Sequence, residues 1–212
     1  VKISFAQQPS PDGLAQAFII GEKWLGGDAC ALVLGDNIFA GSGLGELTRE
    51  AAGKTAGATL FGFQVSDPGR YGIVELDASG KAIHIEEKPK APRSNWSVTG
   101  LYFYDARVTE YARQVKPSAR SELEITDLNR IYLERGELSV LRLDSGFMWM
   151  DCGTHESLLE AAEYVAAVEK RQGTKIGCPV EIAWRQGWID ADGLRAAHEQ
   201  LFKTEYGRYL MR

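Results

Sequence analysis

Apolar and polar residues alternate over Val1-Lys2-Ile3-Ser4-Phe5-Ala6, the period-two signature of a strand that needs neighbours on both sides. Pro9-Ser10-Pro11-Asp12-Gly13 then forms a turn cluster, with Asp12 placed to cap a helix over 13–25. The run Ala29-Cys30-Ala31-Leu32-Val33-Leu34 is continuously apolar and ends in Gly35-Asp36, the pattern of a strand buried on both faces. Strand, helix and buried strand in this order predict a right-handed crossover between parallel strands, and so an α/β first half.

Further along, the periodicity predicts a helix over 44–54 and a strand over 59–65. A hairpin follows over 71–76 and 81–86, closed at Ala78-Ser79-Gly80. A strand at 98–104 precedes helices at 108–115 and 124–135, the second bounded by Gly136, and more strand material lies at 138–143 and 147–150. From His155 the pattern turns helical. Leu158, Leu159, Ala162, Val165 and Ala166 make one apolar stripe, Pro179 suits the first turn of another helix, and a last helix is expected over 192–202. The domain expectation is an α/β core over 1–154 and a helical subdomain over 155–212 packed on it.

With 212 residues, 44% of them hydrophobic and 25% charged, the chain is long enough to bury a core. A net charge of -5 supplies no basic field for a polynucleotide, so no nucleic-acid partner is expected; a phosphorylated small molecule stays open. Cys30, Cys152 and Cys178, with His84, His155 and His198, show no metal-site spacing, and a reducing, cytoplasmic setting is expected. No apolar run approaches the roughly 18 residues of a membrane helix, and no membrane partner is expected.

Candidate chemistry sits at strand ends. Asp36, just past a buried strand in Leu34-Gly35-Asp36-Asn37, is a hard ligand at the edge where open α/β sheets bind phosphates and Mg²⁺; the alternative is a residue that caps the loop or begins a turn, as Asp after Gly commonly does. Asp151, leaving Met148-Trp149-Met150, is a second such carboxylate, with capping of the helix near His155 as the alternative. Glu87-Lys88, within Glu86-Glu87-Lys88-Pro89, has the parts to hold sugar hydroxyls and a phosphate, or is a solvated charge cluster. Gln8 carries an amide able to pair with a nucleobase edge, and Gly13 lets backbone approach a flat ring. Trp149 could floor a sugar site or belong to the core. Gly41-Ser42-Gly43-Leu44-Gly45 lacks dinucleotide spacing and reads as a flexible loop.

Several segments in order, Gln8-Pro9-Ser10-Pro11-Asp12-Gly13-Leu14, Leu34-Gly35-Asp36-Asn37, Asp67-Pro68-Gly69-Arg70-Tyr71-Gly72, Glu86-Glu87-Lys88-Pro89, Thr99-Gly100-Leu101-Tyr102, Glu122-Leu123-Glu124-Ile125-Thr126-Asp127 and Trp149-Met150-Asp151-Cys152-Gly153-Thr154, together resemble the bacterial glucose-1-phosphate thymidylyltransferases, across essentially the whole chain. The resemblance implies a Rossmann-like, mostly parallel sheet flanked by helices, with a C-terminal helical subdomain. It also implies transfer of a thymidylyl group from dTTP to glucose 1-phosphate, giving dTDP-glucose and pyrophosphate. By motif, Gln8, Pro11, Gly13 and Leu14 would bind the nucleotide and Asp36 and Asp151 would hold Mg²⁺. Tyr71, Gly72, Glu87, Val98 and Trp149 would line the sugar pocket, and Lys88 and Arg120 would bind the sugar phosphate. A homotetramer and feedback inhibition by dTDP-rhamnose are implied in the same way. The Gly-rich GxGTRL loop of such enzymes is not in this sequence, so the expectation is an N-terminally truncated core; Cys152 stands where Thr is expected. A uridylyltransferase of the same fold, or a non-catalytic regulatory relative, is the alternative.

Overall fold

The computed structural model describes residues 2–212, which divide after Asp151 into two units. In the first, α1 (Gln16–Ile20) and α2 (Glu22–Leu25) lead to β1 (Cys30–Val33), β2 (Asn37–Gly41) and α3 (Leu44–Ala52). Strands β3 (Ala58–Gln64), β4 (Gly72–Leu76), β5 (Ala82–Glu87) and β6 (Trp96–Tyr104) follow. Then come α4 (Val108–Ala112), α5 (Ile125–Glu134), β7 (Leu138–Leu143) and β8 (Phe147–Asp151).

The order β5-β4-β6-β3-β7 makes the main sheet, with β1 also on β6, while β2 and β8 form a separate two-stranded ribbon. The α/β class holds, but the sheet is mixed: among the described residues only β3 and β7 pair in parallel, and β1, β3 and β4 all run antiparallel to β6. The expected parallel crossover from 1–6 is not formed. Val1 lies outside the described residues, and residues 2–7 carry no strand; Ile3 is 71% and Phe5 95% exposed. An extended stretch with no ladder beside it leaves its backbone groups to water. Nor is β1 buried on both faces: it pairs with β6 alone, and the Val33 side chain is exposed. That doubly buried role falls to β3, where Leu60 faces one apolar cluster and Phe61 the other.

Leu60, Val74, Ile85, Tyr102 and Tyr104 form one face of the sheet and meet Phe18 of α1, Tyr111 of α4, and Leu128 and Tyr132 of α5. The opposite face is smaller, with Phe61, Leu101 and Leu143 against Ala51 of α3. Tyr104 donates its hydroxyl to Asn129 Oδ1 at 2.7 Å, and Tyr132 donates to buried Asp105 at 3.1 Å, so α5 is fixed in register over the sheet. The first helix is shorter than expected and breaks at Gly21; Ala15, not Asp12, stands at its N-cap. The segment read as a flexible loop begins as strand, since Gly41 ends β2, and Gly43 then opens α3.

The second unit contains α6 (His155–Gln172), α7 (Pro179–Arg185), α8 (Ala191–Leu201) and α9 (Glu205–Tyr209). Thr154 and Ser157 close a capping box at the start of α6. Tyr209 donates to Glu181 at 2.5 Å, and Lys175 bridges Glu169 and Glu205, tying α9 to α7 and to the end of α6. The stripe expected on α6 is not its buried face: Leu158 and Leu159 are exposed, and Ala161 is the buried position. The helices that follow span 7, 11 and 5 residues, too short to cover an 18-residue face along its length.

Candidate active site

A split in the sheet makes the cleft. Along one edge of β6, β4 pairs as far as Ser97 and β1 begins at Leu101, so residues 98–100 have no strand partner on that side. Gly100 satisfies its backbone otherwise: its carbonyl accepts from Leu34 N at 2.9 Å, and its N–H donates to the side-chain Oδ1 of Asn37 at 3.1 Å. The same oxygen accepts from Trp149 Nε1 at 2.7 Å, and Asn37 Nδ2 donates to Asp36 Oδ1 at 2.8 Å. A side-chain amide thus replaces the missing strand. Only glycine fits at 100, because a Cβ there would stand 2.6 Å from Asn37 Cγ and Oδ1.

The ribbon brings the chain segments that carry Asp36 and Asp151 together. Asn37 lies opposite Asp151 in the β2–β8 ladder, which sets Asp36 one residue from that register. Thr154, not Asp151, caps α6, so Asp151 keeps its carboxylate at the strand end, where it lines the cleft. Among the described residues no group of three or more His, Cys, Asp and Glu is gathered to hold a metal on its own. Asp151 in the cleft lining, with Asp36 adjacent in sequence to its ladder partner Asn37, is a hard-oxygen set of the kind that fits the protein share of a Mg²⁺ taking its remaining ligands from phosphate and water. The hydroxyl of Tyr102 is held far above its ordinary pKa by burial, and the charges of Glu87 and Asp36 add to this.

On the other side, Glu87 ends β5 opposite Gly72 of β4. Its Oε2 accepts from Thr126 Oγ1 at 2.5 Å, and a Cβ on Gly72 would meet those two atoms at 3.1 and 2.9 Å. Burial pushes the Glu87 carboxyl up, against the Thr126 hydrogen bond; Glu124 raises it further, and Lys88 and Arg120 lower it. Trp149 meets Tyr71 edge to face at 5.1 Å and Phe63 at 6.1 Å, so its indole is both packed and anchored through Nε1. Lys88 has left-handed backbone at φ 43, and its N–H donates to Tyr71 O at 3.0 Å. For a non-glycine residue that conformation costs on the order of 1–3 kcal/mol. It turns the chain sharply between Glu87, facing the cleft, and buried Pro89.

Arg120 is held by acids. Its Nη2 lies 2.8 and 2.9 Å from the two oxygens of Glu124, with Glu122 at 3.4 Å and Glu87 at 3.6 Å. Buried Glu124 also accepts from Ser118 Oγ at 2.7 Å, and its hydrogen bonds raise the already high guanidinium pKa. An incoming phosphate would compete with Glu124 for that fork.

Leu14, Tyr71, Gly72, Glu87, Lys88, Val98, Trp149 and Asp151 line this one cleft. Asp36 adjoins it through the ribbon and Arg120 through Glu87. Gln8, Pro11 and Gly13 are not in its lining; they belong to the loop that leads to Leu14. That loop is docked by backbone bonds, Leu123 N to Asp12 O at 2.7 Å and Ala15 N to Leu123 O at 3.1 Å. Gly13 has φ 103, and a Cβ there would come within 2.4 Å of the Leu123 backbone. Sequence reasoning assigned no role to Asn37, Gly100 or Thr126. Asn37 and Thr126 adjoin flagged residues or share their motifs, but only the long-range contacts give them work.

A mixed sheet split over a cleft that Glu87 and Asp151 line is the frame of an α/β protein with a polar ligand site. Over residues 1–168 the chain matches the family described as nucleotidyl transferase, and it belongs to that family. The particular relatives are glucose-1-phosphate thymidylyltransferases: the protein of that name from Neisseria meningitidis is 55% identical over 212 residues, all of this chain and 74% of that protein. A solved structure from Bacillus anthracis, assigned to the same enzyme and holding sucrose, aligns with TM-score 0.65 and 41% identity over 74% of this chain and 62% of that one. A UDP-glucose pyrophosphorylase bound to UDP-glucose shares the fold, with TM-score 0.68 and 24% identity over 76% of this chain and 65% of its own.

Proposed function

We propose that this chain transfers the thymidylyl group of dTTP to glucose 1-phosphate, releasing pyrophosphate and giving dTDP-glucose, with Mg²⁺ as cofactor. The observation that supports the reading is the β2–β8 register, in which Asn37, the neighbour of Asp36 in sequence, lies opposite Asp151, a residue in the lining of a cleft walled by Glu87, Tyr71 and Trp149. In-line transfer needs little covalent help from protein. A phosphate oxygen of the sugar phosphate attacks the α-phosphorus as the bond to pyrophosphate breaks, and the barrier lies in bringing two anions together.

Asp36 and Asp151 would hold the Mg²⁺, which when bound neutralises charge on the reacting phosphates. Glu87, fixed by Thr126, accepts sugar hydroxyls, and Trp149 with Tyr71 packs against the ring. Lys88 faces the sugar phosphate, and Arg120 joins it by exchanging part of its Glu124 contact. Gln8 and the Gly13 backbone read the base.

Pyrophosphate release with glucose 1-phosphate and each nucleoside triphosphate tests the assignment. dTTP is expected to lead; equal or faster turnover with UTP would replace thymidylyl by uridylyl. Asp36→Asn and Asp151→Asn should each lower turnover by about 10²-fold or more, and undiminished rates in both would remove the acid pair from the chemistry.

A further inference from the structure

Beside the cleft, four side chains form a directed hydrogen-bond chain. Ser10 Oγ donates to Asp12 Oδ2 at 2.6 Å, and Gln16 Nε2 donates to the same oxygen at 3.0 Å. Gln16 Oε1 then accepts from Gln8 Nε2 at 2.7 Å, and Gln8 Nε2 also donates to the carbonyl of Gly13 at 3.1 Å. The polarity of this chain follows from chemistry. A carboxylate only accepts, so Gln16 must turn its NH₂ to Asp12 and its oxygen to Gln8; the Gly13 carbonyl also only accepts, so Gln8 must turn its NH₂ inward. The two donors hold the Asp12 carboxyl below its ordinary range, Ser10 first, which keeps it ionised. Both N–H groups of Gln8 are then committed, and its Oε1 is left as the outward acceptor.

We propose that Asp12 and Gln16 are specificity-determining positioning residues: they lock the Gln8 amide with its oxygen outward, so that the loop accepts a base presenting a ring N–H and rejects one presenting a ring acceptor. Thymine and uracil carry a donor at N3, whereas cytosine carries a lone pair there. An amide free to flip offers either face and does not discriminate. This inference rests on the reading that Gln8 faces the nucleobase.

The test compares dissociation constants of the 212-residue chain for dTTP, dUTP and dCTP by calorimetry, in the unmodified protein and in Gln16→Leu, Asp12→Ala and the isosteric Asp12→Asn. The preference for dTTP over dCTP should fall about tenfold in Gln16→Leu and Asp12→Ala, the scale of one mispaired polar contact. It should fall less in Asp12→Asn, and the dTTP to dUTP ratio should not move. If all three nucleotides weaken equally, or the dTTP to dCTP ratio holds in variants with unchanged far-UV spectra, the relay is overturned. Gln8→Leu separates the two ideas. A ratio unchanged there overturns the base-reading role itself, whereas a ratio lost in Gln8→Leu and kept in Gln16→Leu and Asp12→Ala overturns the relay alone.

Discussion

Asn37 concentrates in one amide what elsewhere takes a strand: it satisfies Gly100, holds Trp149, and orients Asp36. In Asn37→Ala the Gly100 N–H and the indole N–H of well-buried Trp149 lose their acceptor together. Leaving such groups unpaired costs about 1–3 kcal/mol each, so urea unfolding should show a loss on the order of 2–4 kcal/mol; a loss below ~0.5 kcal/mol would mean that water replaces the amide. Glu87 gives a pH signature. Burial raises its carboxyl above the unfolded value, so folding favours the protonated form. That contribution is complete below the ordinary carboxyl pKa of about 4.3 and is lost as pH rises through the folded value. Glu87→Gln keeps a neutral group in place, and should raise Tm at neutral pH with a gain that fades toward about pH 4; a gain independent of pH would contradict the assignment. The strand-end positions of Asp151 and Glu87, and that of Asp36 just past a strand, were legible in the sequence because each follows a segment that reads as strand. Asn37 was not, since nothing local tells an asparagine after Asp36 that a tryptophan 112 residues away needs its oxygen.

At the scale of elements, the hairpin β4–β5, strand β3 and helix α5 follow from periodicity and turn chemistry, and their boundaries lie within a few residues of those read from the pattern. Two segments depart from it. Residues 2–6, read as part of a strand, carry none, and β2, not predicted as a strand, pairs along its whole length with β8. Pairing is a property of two segments, and one segment's pattern shows only half of it. The loop before α1 is instead held by the fit of Gly13 against Leu123. Gly13→Ala combines φ 103 with a 2.4 Å clash against backbone, so it should destabilise by at least about 1–3 kcal/mol. It should also displace residues 8–12, visible as amide shifts confined to that loop and to 122–124; shifts absent from both would show that the backbone absorbs the methyl group.

Taken whole, the chain holds its apolar mass unevenly. Both hydrophobic clusters lie before residue 152, whereas the hydrophobic side chains buried in the second unit are Ala161, Cys178 and Leu210 among the described residues. Burial of apolar area is the main source of stability, so calorimetry should resolve two transitions, with helical ellipticity falling in the earlier one. A single transition with matching calorimetric and van't Hoff enthalpies would show one cooperative block. The change from mixed to purely helical pattern near His155 was legible, while the poor burial of α6 was not, because its stripe looks like any other amphipathic face.

The ribbon of β2 and β8 carries a consequence for the order of events in a newly made chain. Its two halves are the early and late ends of the first unit, so the pair of acids does not exist until the last strand has left the ribosome and zipped onto its mate. Under the proposed function, cation capture would therefore be a completion signal, since a nascent or half-folded molecule would lack one of the two acids at that place.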